Sequence, residues 1–415
     1  METELAKLPT PHTLLSITDF KTSLEAFTDS LNRVIEKHIP IAKPTPFMKR
    51  WWTADLKLKR KEVRKLACKV YRLVQRHIFE HPIHEEHRKL RNEYTQMICD
   101  AKQDHWITWL ERADDQTIWT IHRFISASPG DGARTRIPDL KVKHADGSIA
   151  TVKKNKDKAK ALYNSFFFPP PQDDGIDPDY QYPPPCAAFD NITDQQIHRA
   201  IKRLKPHKGT GPDRHSNSLY IHCRKLLVPH LGPYYRATFN LKYYPKEWKT
   251  STTAVLCKPG KPDYSLPKAF RPITLLNSIA KILSSIVSED LVHLAETHHL
   301  LPDNHFGGCS GRSTTDSVML TIHWTFEKWR KGLVVSGLFL DISGAFSNAV
   351  IARVIHNMRQ RQIPIEYTQW ITRHMAGRKT ILTFDDYESE PFEVSNGLDQ
   401  GDPRHRYSTA STMQI

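Results

Sequence analysis

Asp341 is the residue of this 415-residue chain whose type and setting best suit chemistry. It closes the apolar run Leu333 to Leu340 and precedes the small turn Ser343-Gly344-Ala345, inside GLVVSGLFLDISGAFSNAV. The run reads as a buried strand. A carboxylate at the tip of such a strand is an oxygen ligand of the kind Mg²⁺ takes while keeping room for substrate phosphates. It equally suits a cap on a helix beginning near Ala345. A second candidate lies in TTAVLCKPGKPDYSLPKAFRPIT, residues 252–274. There a β-branched strand, a Pro/Gly turn and a return strand make a hairpin on which Lys258, Lys261 and Arg271 converge. An Arg fork and Lys point charges suit a polyphosphate.

The elements that must position these groups follow from patterning. Ile17 to Ile39 is a short amphipathic stretch, followed by the Pro-broken connector HIPIAKPTPF. From Lys49 to His77 there are eleven Lys/Arg against two acids, with Val63, Leu66, Val70, Leu73 and Val74 at helical spacing. That is a helix with one apolar stripe and a basic remainder. Its one-sided charge reads either as a solvated face or as a phosphate-binding face, and Trp51, Trp52, Trp106 and Trp109 either anchor a helical core or stack on bases. FFFPPPQDDGIDPDYQYPPP, residues 166–185, is a boundary loop that cannot continue as helix or strand. Ile197, Ile201 and Leu204 mark a short helix stopping at Lys205-Pro206, and Gly209 and Gly211 then form a tight loop. Thr380–Phe384 and Glu390–Val394 pair as a hairpin across Asp385-Asp386 and lead into SNGLDQGDP.

Bulk properties narrow the partner class. Sixty Lys+Arg against 45 Asp+Glu give a net charge of +15, which favours a polyanion. The six cysteines include no CxxC pair, so they read as reduced thiols of an intracellular protein, nuclear or cytoplasmic and not secreted. His81, His84 and His87, three apart, read as a solvated helix face. No stretch reaches the ~20 apolar residues a membrane span needs, so no membrane partner is expected.

Four ordered blocks carry a family resemblance: KPGKPDYSLPKAFRPITLLNSIAKIL, LLPDNHFGGCSGRSTTDSV, FLDISGAFSN and GLDQGDP. They resemble the finger and palm blocks of a non-LTR retrotransposon (LINE-like) reverse transcriptase, and KRWWTADLKLKRK and LKPHKGTGPD resemble segments ahead of them. The resemblance implies an α+β fold, a right-hand polymerase with fingers and partial palm preceded by a basic helical region. It implies an RNA-directed DNA polymerase with RNA template, DNA primer and deoxynucleoside triphosphates as partners, working through two Mg²⁺ ions. Carried over residue by residue, Asp341 is the catalytic metal ligand and Ile342 lends its carbonyl. Phe346 packs under the deoxyribose, Lys261 and Arg271 hold the triphosphate, and Gln400 and Gly401 line the nucleotide. Arg312 lies beside the template. From the one-sided charge run, not from the resemblance, Lys57, Lys59, Arg60, Lys61, Arg64 and Lys65 are the expected nucleic-acid contacts, with a solvated face as the other reading. Ser347, His305 and Cys309 depart from the family pattern.

The expected organisation is a connector remnant at 1–47, a basic helical region at 48–165, a Pro-rich acidic linker at 166–190, and fingers with partial palm at 191–403. An aberrant tail follows at 404–415. No YADD-like block, thumb or upstream endonuclease is present, so the expectation is a truncated enzyme with little activity. The alternative is a non-catalytic remnant that only binds nucleic acid. The tail RHRYSTASTMQI lacks apolar periodicity, while a one-base shift through permitted codons yields a family-like string. A frameshift or misjoined exon near Pro403 is therefore expected.

Overall fold

The structure is a computed structural model that describes residues 1–39, 51–76, 78, 80–112, 137–143, 147–309, 311–340, 344–385 and 387–399. The chain forms two compact units, one of Glu36–Ala133 and one of Met1–Ile35 with Arg134–Ile415.

The larger unit starts with α1 (Glu2–Leu5) and α2 (Ile17–His38). Phe20, Leu24, Phe27, Leu31 and Val34 recur at helical spacing on α2, and all are buried. Residues 1–35 are thus part of this unit's main core, where the sequence suggested a connector remnant. In the smaller unit, α3 (Ala54–Gln75) and α4 (Ile83–Glu111) pack against each other. Thr53 caps α3 by accepting from the Leu56 amide.

The larger unit resumes with β1 (Leu140–Lys143) and β2 (Ile149–Val152), an antiparallel pair, then α5 (Asn155–Phe166). These elements fall within the stretch assigned by sequence to the basic helical region. They pack with the sheet instead, because Leu140, Leu162 and Phe166 share a second core with Phe270, Leu382 and Phe384. The helices α6 (Asp194–Lys202), α7 (Asn217–His222) and α8 (Arg224–Asn240) follow. On α6 the Thr193/Gln196 capping box sets the start, and Ile197, Ala200 and Ile201 face inward.

β3 (Thr250–Cys257) and β4 (Phe270–Leu276) form the expected hairpin, with Leu256 opposite Arg271. α9 (Ser278–Thr297) and α10 (Thr314–Arg330) come next, then α11 (Ile351–Gln360) and α12 (Ile365–Met375). β5 (Arg378–Phe384) returns parallel to β3, and β6 (Tyr387–Glu388) and β7 (Phe392–Val394) both pair antiparallel with β5. The expected single return strand is therefore split. Pro391 has no N–H for a ladder, and the Ser389 hydroxyl accepts from the Leu382 amide at 3.0 Å between the two pieces. The result is an α+β unit: a five-stranded sheet beside a helical core of α2, α6, α8, α9, α11 and α12.

Residues 167–190 have no helix or strand, as the prolines require, yet the 166–190 segment is not a free linker. The Tyr182 hydroxyl lies 2.8 Å from His356 Nδ1, the Arg359 guanidinium sits 3.8 Å from the Tyr182 ring centre, and the Cys186 amide donates to the Gln362 carbonyl. Across the described residues no helix is long and apolar enough to cross a membrane.

Candidate nucleotide and nucleic-acid sites

At the β3–β4 tip, Gly260 adopts φ +71° and lets the chain reverse directly after Lys258-Pro259. Lys258 Nζ donates to the Lys268 carbonyl at 2.9 Å, and the Tyr264 hydroxyl donates to the Lys258 carbonyl at 2.7 Å. Partial burial lowers the Lys258 pKa, and the neighbouring charges of Lys261 and Arg271 lower it further. Lys261 and Arg271 are thus each within electrostatic reach of Lys258. Like charges held together in this way have an unmet demand for an anion. Strand alternation puts Arg271, Leu256 and Lys258 on one face, and Val255, Phe270 and Pro272 on the other.

A second cluster forms on that other face. Phe346 is half-buried and lines a small cavity with Ser347, Pro272, Thr274, Phe166 and the 396–399 segment. Gly344 at φ +64° opens the turn, and the Asn348 amide donates to the Gly344 carbonyl at 2.8 Å. Against this turn lies the loop after β7. The Gly397 amide donates to the Ala349 carbonyl at 3.1 Å and the Leu398 amide to the Phe346 carbonyl at 2.7 Å. Gly397 has φ +79°, and a Cβ there would come within 2.9 Å of the Ser347 carbonyl oxygen, so only glycine permits this approach. Arg378 and Asp399 pair beneath the loop, both buried. Sequence reading missed this pair; an Arg opening a strand and an Asp in a loop give no local sign that they meet.

Asp341, Ile342, Gln400 and Gly401 lie outside the described residues. Among the described residues no group of three or more His, Cys, Asp or Glu could hold a metal ion. The apolar run that leads to Asp341 departs from expectation. Residues 333–340 form no strand and are exposed, with Val334 92% and Phe339 89% accessible. A buried strand needs neighbours for both its ladder groups and its side chains, and no described strand pairs with this run.

Other carried-over residues have structural partners. Arg312 Nη1 donates to the Asp303 and His305 carbonyls, each at 2.6 Å, and so braces its own loop. In the 209–213 block, Gly211 passes so close to β4 that a Cβ would meet the Leu276 carbonyl oxygen. Asp213 then accepts from the Ser278 amide at 2.6 Å, adding a carboxylate at the N-terminus of α9. That block therefore fixes the hairpin-to-helix junction.

In the smaller unit, Lys57, Lys61, Arg64 and Lys65 are exposed and recur at i, i+4 and i+3 spacing on α3. Lys59, Val63, Leu66, Val70 and Leu73 are less exposed on another stripe. Lys59 Nζ binds Glu93 of α4 at 2.7 Å, a partner that raises its pKa, and Arg60 lies 5.9 Å from the Trp52 ring centre. Four of the six expected contact residues are thus presented to solvent, and two are engaged within the hairpin.

Comparison with known proteins places this geometry. Residues 258–404 match the reverse transcriptase (RNA-dependent DNA polymerase) family, a span that holds the cationic hairpin tip, the Phe346 turn and the loop after β7. The chain is 26% identical over 207 residues to the probable RNA-directed DNA polymerase from transposon BS of Drosophila melanogaster, covering 50% of this chain and 23% of that protein. It is 23% identical over 354 residues to the Pol polyprotein from type-1 retrotransposable element R1 of Bradysia coprophila, covering 80% of this chain and 32% of the relative. The RNA-directed DNA polymerase from mobile element jockey of Drosophila funebris is 24% identical over 212 residues, 51% of this chain and 23% of that protein. The chain thus spans between 23% and 32% of the length of these relatives.

Proposed function

We propose, from the premise that residues 258–404 are a reverse transcriptase segment of the non-LTR retrotransposon kind, that this chain supplies the nucleotide-facing part of an RNA-directed DNA polymerase. The observation that carries the reading is the locked contact between the Phe346 turn and the 396–399 loop, inside the family match and bordering β4. The larger unit corresponds to fingers with part of a palm, and the α3–α4 hairpin to a basic region ahead of them.

Family membership implies a divalent metal, a nucleic-acid template and nucleotide substrates. Asp341, with the Ile342 carbonyl, would hold Mg²⁺, which in phosphoryl transfer stabilises charge on the attacking and leaving oxygens. Lys261 and Arg271 neutralise the triphosphate, with Lys258 beside them at the tip. The Phe346 ring closes the space beside the sugar, so a 2′-hydroxyl has no room. Gln400 and Gly401, next in sequence after the loop that Phe346 anchors, would line the nucleotide, as the family resemblance implies. The exposed Lys57, Lys61, Arg64 and Lys65 hold phosphates of RNA or DNA, and Arg312 braces a loop beside the template.

Primer extension on a primed RNA template with Mg²⁺ tests the reading. Incorporation by the full chain, abolished by Asp341→Asn, supports it; Asp341→Asn activity equal to the unaltered chain removes Asp341 as the ligand. Absence of extension, with only salt-sensitive RNA binding, leaves the chain a nucleic-acid-binding remnant. In an extending chain Phe346→Val raises the ratio of ribo- to deoxyribonucleotide use, and an unchanged ratio eliminates the sugar-excluding role.

A further inference from the structure

The loop that borders Phe346 is held from below by one guanidinium. Arg378 opens β5, and its ladder partner Val394 is the last residue of β7. Past Val394 the chain leaves the sheet, and the Arg378 side chain takes over the bonds a ladder would have made. Nη2 donates to the Gly397 carbonyl at 2.7 Å and more weakly to the Asn396 carbonyl at 3.4 Å. Nε donates to the Met375 carbonyl at 3.2 Å, tying the group to the end of α12. Nη1 stands 2.9 Å from Asp399 Oδ2, off the direction of a hydrogen bond, so this contact acts as charge pairing.

Arg378 is 3% exposed and Asp399 6% exposed. Burying two such charges costs free energy, and apolar residues of similar volume would fill the space at less cost. An apolar pair could not, however, hold the Gly397 and Asn396 carbonyls. On its other side the same short segment donates to the Phe346 and Ala349 carbonyls. Residues 396–399 are therefore fastened from two sides, to β5 through Arg378 and to the Phe346 turn through two amides.

We propose that Arg378 is a positioning residue that, paired with Asp399, sets the distance between the 396–399 loop and the Phe346 turn and thereby the sugar selectivity of the nucleotide site. The selectivity half of this rests on the polymerase reading; the clamp itself does not.

Two variants of the full chain test it, Arg378→Lys, which keeps the charge and loses the fork, and the near-isosteric Asp399→Asn. Hydrogen exchange is followed at the Gly397 and Leu398 amides and, as a control, at the Leu382 amide in β5. Isothermal titration with dGTP and with GTP is run with Mg²⁺ and a primed RNA whose next templating base is cytosine. The expected result is exchange at Gly397 and Leu398 on the order of tenfold faster with Leu382 unchanged, and a reduced preference for dGTP over GTP. Unchanged exchange at both loop amides overturns the clamp. Equal acceleration at Leu382 shows a residue serving global stability and overturns it too. Open loop amides with an unaltered dGTP preference overturn the selectivity role. If the unaltered chain binds neither nucleotide, the polymerase reading and the selectivity role both fall, and the amide exchange decides the clamp alone.

Discussion

Helices α9 and α10 lie close in sequence and are of similar length, 20 and 17 residues, yet eleven residues of α9 are buried and none of α10. On α9 the buried apolar and small residues cover more than half of the helix circumference: Ile279, Ala280, Ile282, Leu283, Ser284, Ile286 and Val287 are all buried. On α10 the large residues Val318, Met319, Ile322, Trp324, Phe326 and Trp329 all remain exposed. Both helices carry caps, Asn277 on the first and a Ser313/Asp316 box on the second. Local chemistry therefore starts both helices, but among the described residues only α9 has a surface to pack against. The stability of α9 comes from tertiary burial and that of α10 from its cap and its own turns.

The largest effect that could break this comparison is in the core. Leu283→Ala leaves a cavity under a fully buried side chain and should cost about 2–5 kcal/mol in denaturant unfolding, whereas Ile322→Ala on α10 should stay within ~0.5 kcal/mol. Similar losses at the two sites would mean that α10 is covered in solution.

Burial on α9 also has an electrostatic consequence. Asp290 accepts from Gln196 Nε2 at 2.8 Å and from the Tyr367 hydroxyl at 3.3 Å. Burial raises its pKa from 3.8 to about 6 against those hydrogen bonds, which lower it. Because the folded pKa lies above the unfolded one, the folded state binds more protons between these values, and stability falls as pH rises from about 4 to about 6. The shift corresponds to roughly 3 kcal/mol, and Asp290→Asn should remove that part of the slope in urea midpoints measured across the window. An identical slope in the variant would show that Asp290 titrates as an exposed carboxyl.

A smaller effect sharpens the view of α10. Ser313→Ala removes the hydroxyl half of the capping box, in which the Ser313 hydroxyl accepts from the Asp316 amide at 3.2 Å, and keeps the backbone half, in which the Asp316 carboxylate accepts from the residue-313 amide at 2.7 Å. About 1 kcal/mol of local helix stability should go, seen as faster amide exchange along α10 and no change in α9. Protection that survives the substitution would show that something other than the cap holds the helix. The least expected change is at the Lys59–Glu93 pair between α3 and α4, where Lys59→Ala should leave the urea midpoint close to that of the unaltered chain.

Much of the fold was legible because its causes are local. KPGKPD between β-branched runs dictated the β3–β4 hairpin, which brings Lys261 and Arg271 within electrostatic reach of Lys258. Ile197 and Ile201 marked α6 by their spacing, and the spacing of Val63, Leu66, Val70 and Leu73 described α3 within a few residues of its ends. The four blocks that resemble a reverse transcriptase lie in and beside the segment that matches that family. Each of these rests on turn chemistry, capping or period, which neighbouring residues determine among themselves.

What only the tertiary structure decided is which surface meets which. The apolar run at 333–340 had every sequence mark of a buried strand and is exposed, while α2, read as leading into a connector, puts Phe20, Phe27 and Leu31 in the main core. Arg378 and Asp399, 21 positions apart and unremarkable in sequence, form the buried pair beneath the Phe346 loop. Residue type fixes what a side chain would gain by burial or pairing, but the gain is realised only when a distant segment supplies the facing surface or the opposite charge, and that depends on the arrangement of the whole chain.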